Sequence, residues 1–205
     1  MPRGDREPHP VRPVSQRAWD WLALPYVVLR NWGPFAWIRL LELRRTRALL
    51  PEPSPGAVWI EVGCGDGGIL RRASWPGLRV GVDWSPRMAR RVRRTGARPV
   101  VADARSLPFR DGCAGLVTAL GLSEYLREHQ ALWRELSRVS TAGGVAVVTF
   151  SPPSPQNQLR RLLGRRLYLR RFARLAPEWE RCGFRVVQRK GAFQQTIVRL
   201  DKKQT

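Results

Sequence analysis

Cysteine and histidine are scarce in this chain of 205 residues. The three cysteines, Cys64, Cys113 and Cys182, lie far apart and form no C-x-x-C pair. This spacing argues against a disulfide framework and against a structural zinc site, so we expect a reducing compartment, the cytoplasm, and no bound metal. The first residues lack the apolar region of a secretion signal. No apolar run reaches the roughly 20 residues of a membrane-spanning helix without interruption.

Acidic residues are also few, and the charge balance is strongly basic. The chain has 37 Lys and Arg against 16 Asp and Glu, a net charge of +21, and only three of the basic residues are lysine. Such a charge favours an anionic partner, which is a nucleic acid, a phosphorylated substrate or an anionic membrane surface. Alternatively, the excess of arginine reflects the base composition of the gene, because GC-rich genes favour arginine together with alanine, glycine, proline and tryptophan.

The beginning of the chain differs in composition from the rest. Residues 1–14 are rich in proline and charge, which predicts disorder. The following stretch predicts two helices with a break near Gly33, and the prolines of residues 51–56 predict a stiff linker. We therefore divide the chain into residues 1–50, a disordered start and a helical lid, and residues 51–205, a second domain.

Beyond the linker, short apolar runs alternate with helical patterns. Strands are expected near 58–62, 79–83, 98–101, 115–119, 144–150, 184–189 and 193–199. Helices are expected near 67–74, 85–95, 126–139 and 172–183. This alternation predicts an α/β fold with a mostly parallel sheet and helices on both faces, and the two late strands predict an antiparallel edge.

A glycine-rich turn follows the first of these strands. Gly63, Gly65 and Gly67 allow the backbone to turn sharply and to approach a ligand closely. The helix expected directly afterwards would offer free N–H groups at its N-terminus. Asp83 ends the next strand, twenty positions after Gly63. A carboxylate at that point of a nucleotide-binding fold accepts hydrogen bonds from two ribose hydroxyls.

The G-x-G-x-G spacing, with Glu61 two residues before it, resembles motif I of the class I S-adenosylmethionine-dependent methyltransferases. Later segments resemble further motifs of that family in the same order: Asp83-Trp84-Ser85-Pro86-Arg87-Met88, Ala102-Asp103-Ala104 with Leu107-Pro108-Phe109, and Leu136-Ser137-Arg138-Val139 followed by Gly143-Gly144. The resemblance covers roughly residues 56–150. It implies a Rossmann-like seven-stranded sheet with an antiparallel last strand, S-adenosylmethionine as the cofactor, and methyl transfer.

The resemblance also implies roles for single residues. The implied cofactor-binding residues are Glu61, Gly63, Gly65, Gly67, Asp83, Trp84, Asp103, Ala104 and Leu120. Asp83 would bind the ribose, Asp103 the adenine amine, and Trp84 would pack against the adenine ring. Two alternatives remain open. Asp103 could cap a turn instead, and Trp84 could simply pack on the surface. Glu124 and Tyr125 follow the fourth strand and are the candidate catalytic residues.

The acceptor is less well defined by sequence. The Asn/Asp-Pro-Pro-aromatic motif of base-amino methylation is absent after the fourth strand. Methylation of cytosine at C5 would need a nucleophilic cysteine after that strand, but Cys113 precedes it. His129 falls on a helix face expected to be solvated, which argues against a general base. We therefore expect a small, apolar or membrane-associated acceptor, methylated on O, C or N. An RNA or protein methyltransferase steered by charge, and a non-catalytic cofactor-binding protein with a basic face, remain alternatives.

Two further segments bear on partners. Residues 19–38 are rich in aromatic side chains, which favours either a lid packed over the cofactor cleft or an amphipathic contact with a membrane or a hydrophobic acceptor. Seven arginines lie between Arg160 and Arg174 without an intervening acidic residue. They form either a solvated helix face or a patch for anions and anionic lipids.

Overall fold

A computed structural model of the protein describes residues 16–163 and 166–204. The segment predicted to be disordered, residues 1–14, lies outside the described residues. The helices are α1 (Gln16–Arg30), α2 (Gly33–Arg47), α3 (Pro86–Arg91), α4 (His129–Val139), α5 (Pro155–Leu162) and α6 (Phe172–Arg181). The strands are β1 (Trp59–Val62), β2 (Arg79–Asp83), β3 (Arg98–Val101), β4 (Ala114–Ala119), β5 (Ser140–Phe150), β6 (Phe184–Gly191) and β7 (Thr196–Lys202). Short 3₁₀ helices span Val92–Thr95 and Ser123–Tyr125.

The seven strands form one sheet in the order β3-β2-β1-β4-β5-β7-β6. Strands β1 to β5 pair in parallel, and β7 runs antiparallel to both β5 and β6. The predicted Rossmann-like sheet with an antiparallel last strand is therefore confirmed. Because the chain winds to β2 and β3 on one side of β1 and then to β4 on the other, a crevice opens at the carboxyl ends of these strands.

Alternate residues of the central strands enter two separate cores, one on each face of the sheet. One face, with Ile60 and Val117, packs against apolar residues of α4 and α6 that include Trp133 and Trp179. The other face, with Trp59, packs against the end of α2, the residues after the glycine turn and the 3₁₀ helix Val92–Thr95. Both faces are covered, which explains why these strands read as continuous apolar runs.

The helix predicted near 67–74 is wrong, because this segment forms successive turns. Gly67 has a φ of +71°, which lies outside the right-handed helical region. The backbone hydrogen bonds Arg71 N–Gly67 O and Ala73 N–Ile69 O are present but are not consecutive, so no regular helix builds up. Any ligand at this turn therefore meets single N–H groups rather than a helix dipole.

The two N-terminal helices are confirmed, with the break at the predicted place. Helix α1 contacts α3, and α2 is tied to the glycine turn by an ion pair between Arg39 and Asp66. Residues 51–56 contain no helix or strand, as a proline-rich linker should, while the domain boundary at residue 50 stays a prediction. None of the helices in the described ranges is long and apolar enough to cross a membrane.

Candidate functional site

The glycine turn after β1 brings its backbone to the carboxyl end of β2. Gly65 adopts a φ of +54°, a conformation that side chains rarely allow. Its N–H donates to Asp83 Oδ2 at 2.9 Å. A Cβ placed on Gly65 would meet no heavy atom within 4 Å, so the space beside this backbone is open.

Both carboxylate oxygens of Asp83 accept hydrogen bonds from backbone N–H groups. Its second carboxylate oxygen, Oδ1, accepts the N–H of Ser85 at 2.9 Å, and the residue is only 6% exposed. Burial raises the pKa of the Asp83 carboxyl, and the two N–H donors from Ser85 and Gly65 partly offset that rise. A buried carboxylate gripped by backbone donors has a fixed orientation, because neither oxygen can turn without losing a hydrogen bond.

A cavity of about 460 Å³ lies over these strand ends. Its volume is in the range of small-molecule sites, roughly 300–1,000 Å³. Of the residues predicted from the sequence, the cavity is lined by Glu61, Gly63, Gly65, Asp83, Trp84, Asp103, Ala104, Leu120 and Tyr125. The fold therefore brings nine side chains or backbone segments, predicted from separate motifs, to one place.

Two predicted site residues, Gly67 and Glu124, do not belong to that lining. A Cβ on Gly67 would lie 2.9 Å from the Thr95 side chain, so this glycine serves close packing against the 3₁₀ helix behind the turn. Glu124 is 1% exposed, and its Oε1 accepts from Gln195 Nε2 at 2.8 Å. Its position fits a residue that holds the segment before Tyr125 in place, rather than one that touches a reactant.

Asp103 has a partner that the sequence interpretation did not include. Its carboxylate accepts the backbone N–H of Arg105 at 2.9 Å and a side-chain N–H, Nη2, at 2.7 Å. The hydrogen bond from the Arg105 side chain lowers the pKa of the Asp103 carboxyl, against a smaller opposing effect of burial. An adenine amine at Asp103 would therefore share the carboxylate with Arg105 or displace it.

His129 differs from expectation, because it is buried rather than solvated. It is 7% exposed, and its Nε2 lies 2.8 Å from Glu178 Oε2. Burial lowers the pKa of the imidazole, and the charge of Arg170 acts in the same direction. His129 is absent from the cavity lining, which agrees with its exclusion as a general base.

The sequence interpretation missed an ion pair in the wall of the cavity. Arg39 of α2 donates to Asp66 in the glycine turn and to Asn31. Burial alone would raise the pKa of the Asp66 carboxyl, but the hydrogen bond and the charge of Arg39 outweigh it and lower the pKa. The signal was present, because Arg39 shares one helix face with the buried residues Leu43 and Thr46, and a lone arginine on such a face needs a partner.

Tyr168 and Arg166 also line the cavity, although the sequence interpretation considered the stretch from Arg160 to Arg174 only as a solvated face or an anion patch. The N–H of Tyr168 donates to the carbonyl of Glu124 at 2.7 Å, which ties this segment to the residues after β4. Among the described residues, no group of three or more His, Cys, Asp or Glu side chains is placed to hold a metal ion.

Comparison with known proteins adds independent information. Residues 60–148 match the family model of the methyltransferase domain. The human protein named "Probable tRNA methyltransferase 9B" is 30% identical over 107 residues, which are 51% of this chain and 23% of that protein. The chain therefore spans less than a quarter of the length of that relative.

Two solved structures show the same fold. A Thermotoga maritima S-adenosylmethionine-dependent methyltransferase, described as a possible histamine N-methyltransferase, has a TM-score of 0.76 at 20% identity, covering 90% of this chain and 98% of that one. Magnesium protoporphyrin IX methyltransferase from Synechocystis, which contains bound S-adenosylhomocysteine, has a TM-score of 0.73 at 14% identity, covering 92% and 98%. At such identities the likeness concerns the fold alone.

Proposed function

We propose that this chain, which belongs to the class I S-adenosylmethionine-dependent methyltransferase family, methylates a small and largely apolar acceptor. The observation that supports this best is the Asp83 carboxylate, buried in the cavity wall and held by the N–H groups of Gly65 and Ser85. A carboxylate has about four acceptor positions. Two of them are occupied by backbone donors, so two remain for a pair of hydroxyl groups such as those of a ribose.

The residues around Asp83 fit the rest of the cofactor. The open side of Gly65 lets a ligand approach the backbone at the end of β1. Asp103 and Ala104 follow the end of β3 and line the other end of the cavity. The series from β1 through β2 to β3 therefore offers an extended ligand one contact for its amino-acid end, one for its ribose and one for its base.

The acceptor would occupy the side of the cavity beyond β4. The lining there includes Leu120, Leu122, Tyr125, Leu126 and Tyr168, together with the charged residues Arg127, Glu128 and Arg166. When bound, the cofactor supplies a methyl group already activated on a sulfonium. The chain then has to position the acceptor atom and exclude water, and apolar walls do both. Tyr125 is the candidate catalytic side chain that reaches the cavity, and Glu124 acts by positioning it.

A second candidate function is methylation of RNA or protein. The similarity to a protein named as a tRNA methyltransferase favours it, as do the 34 arginines of the chain. Arg105, Arg127 and Arg166 line the cavity and are exposed. Exposed basic groups beside the cavity would hold a phosphate backbone near the site.

The compartment we propose is the cytoplasm. Cys64, Cys113 and Cys182 are all free thiols, and unpaired cysteines are typical of proteins kept in a reducing environment. Fractionation of cells that express the tagged chain would test this, and recovery from an oxidising compartment would contradict it.

One experiment separates the two candidate acceptors. Purified protein and S-adenosylmethionine carrying a labelled methyl group are incubated with a cell extract, which is then divided into lipid-soluble, small polar, RNA and protein fractions. We expect label in the lipid-soluble or small-molecule fraction, and much less with Asp83→Ala at a limiting cofactor concentration. Label confined to RNA or protein would favour the second candidate, and failure of the wild-type protein to bind the cofactor would refute both.

A further inference from the structure

Helix α1 exposes several apolar side chains, although Val27 on its inner side is buried and lines the cavity. Gln16 donates to the carbonyl of Trp84 at 2.7 Å, and Asp20 pairs with Arg87 at 3.1 Å, both on the protein side. The exposed apolar residues are Trp21, Val28 and Leu29, with Trp32 directly after the helix. Spacings of seven and eight positions from Trp21 place Val28 and Leu29 on the same side of the helix. Trp32 has an extended backbone and precedes α2.

Helix α2 buries mainly polar side chains and exposes apolar ones, which is the reverse of an ordinary surface helix. Its buried residues are Arg39, Glu42, Leu43 and Thr46, of which only Leu43 is apolar. Its exposed apolar residues are Phe35, Trp37 and Leu41, and Trp37 is 68% exposed. The inner face of α2 is fixed by the ion pair between Arg39 and Asp66. The helix therefore cannot rotate to bury its aromatic residues without breaking that pair.

A third element continues this surface. Helix α5 exposes Leu159 and Leu162, and Leu163 follows it with 75% exposure. Asn157 of α5 donates to the carbonyl of Gln194 at 2.9 Å, and Arg45 of α2 donates to the carbonyl of Gly191. The turn between β6 and β7 thus connects α5 to α2 and exposes Phe193 between them. Several large apolar side chains exposed on neighbouring elements are typical of an interaction surface.

The charges beside these apolar residues identify the partner. The only acidic residues of α1 and α2 are Asp20, which is paired with Arg87, and Glu42, which is buried. The exposed charged residues of α2 are Arg44, Arg45 and Arg47. Tryptophan and arginine side by side suit the interface of an anionic bilayer, where rings enter the headgroup region and guanidinium groups bind lipid phosphates. A second copy is disfavoured, because each chain carries a net charge of +21.

We propose that the outer faces of α1 and α2, extended by α5, dock the protein on an anionic lipid surface. The inner faces of the same two helices line the cavity through Val27, Arg39 and Leu43. Docking would therefore place the cavity next to the bilayer, where an apolar acceptor is concentrated. The docking itself rests on the helices and not on the proposed methyl transfer.

Vesicle flotation of the full chain at low ionic strength tests the proposal. We expect binding to vesicles of phosphatidylcholine mixed with phosphatidylglycerol, and much weaker binding to phosphatidylcholine alone. Trp32→Ala combined with Trp37→Ala should weaken binding about tenfold or more, since each ring loses its burial at the interface. Trp21 is left unchanged because its ring already contacts the guanidinium of Arg87.

The matched control removes two exposed apolar side chains elsewhere, Leu78→Ala with Val187→Ala, and should leave vesicle binding unchanged. A second pair of variants separates local from global charge. Arg44→Gln with Arg47→Gln should weaken binding about 30-fold, at roughly 1 kcal/mol for each arginine near the surface. Arg93→Gln with Arg94→Gln lowers the net charge by the same amount, but these residues lie before β3. This variant should bind vesicles almost as well as the wild-type protein.

Four outcomes would overturn the proposal. They are no binding of the wild-type protein to anionic vesicles, equal losses in the test and control pairs, retention of labelled RNA without vesicle binding, and a dimer in light scattering that Trp32→Ala with Trp37→Ala dissociates. Circular dichroism and cofactor titration of every variant verify the fold. If the tryptophan variant does not fold, the comparison of the two double arginine variants in vesicle binding tests the proposal instead. Since flotation needs no cofactor, failure here and failure of methyl transfer are distinguishable.

Discussion

The substitution Asp83→Ala tests the cofactor site most directly. In the wild-type protein the Asp83 carboxylate is buried, and its orientation is set by the N–H groups of Gly65 and Ser85, each at 2.9 Å. Alanine removes the acceptor that we assign to the ribose hydroxyls. The residues of the glycine turn remain the same in this variant, so the loss of affinity reports on the Asp83 carboxylate.

The expected loss follows from the kind of hydrogen bond involved. A hydrogen bond to a charged group contributes about 1.5–3 kcal/mol, so the dissociation constant for S-adenosylmethionine should rise about 10-fold to 150-fold. The fold should lose stability as well, because two buried N–H groups lose their acceptor. This loss is reduced by the removal of a carboxylate whose ionisation burial disfavours, as its raised pKa indicates.

Calorimetric titration with S-adenosylmethionine measures the affinity, and thermal unfolding measures the stability. Asp201→Ala is the matched control, because Asp201 is a half-buried carboxylate that pairs with Arg199 outside the cavity lining. Its affinity for the cofactor should equal that of the wild-type protein. Equal affinity in the Asp83→Ala variant would refute the assignment of Asp83, even if its stability falls.

Further predictions concern the turn, the ion pair and the buried glutamate. Gly65→Val should abolish cofactor binding in the same titration, because its side chain would fill the open space beside the turn. Gly67→Ala should instead lower the melting temperature, since its Cβ would contact the 3₁₀ helix at 2.9 Å. Arg39→Met should destabilise the fold by about 3 kcal/mol at neutral pH, because Asp66 loses its buried partner and keeps only the more exposed Arg71 at 3.7 Å. Because the folded-state pKa of Asp66 is lowered, that stabilisation is present above the unfolded pKa of about 3.9. The difference between wild type and variant in urea unfolding should therefore shrink as the pH falls below it. Glu124→Gln should retain label transfer, whereas complete loss with normal cofactor affinity would indicate a catalytic role.

Much of the sheet and of the cofactor site could be predicted from sequence, because the relevant signals are local. Short apolar runs ending at Val62 and Asp83 define buried parallel strands, and such strands place their carboxyl ends at one edge. The glycines after Val62 predict a turn that approaches a ligand. The structure confirms that turn but not the helix after it, because the left-handed conformation of Gly67 was not readable from residue type alone.

The parts that could not be predicted depend on contacts between distant residues. Arg39 and Asp66 are 27 positions apart and meet only because α2 crosses the glycine turn. Glu124 and Tyr125 are neighbours in the chain, yet Tyr125 lines the cavity while Glu124 is held by Gln195, 71 positions later. Which of two adjacent side chains after a strand faces a ligand is decided by such partners and not by their spacing.

The two alternatives for the aromatic N-terminal segment prove to be compatible, because a helix has two faces. As a lid, the segment uses its inner residues, and Val27, Arg39 and Leu43 do line the cavity. As a membrane contact, it would use its outer residues, and Trp32 and Trp37 are exposed. The ion pair between Arg39 and Asp66 fixes the inner face of α2, so its tryptophan stays outward. Large aromatic side chains held outward in this way are typical of an interaction surface, and they are the stronger argument for a partner there.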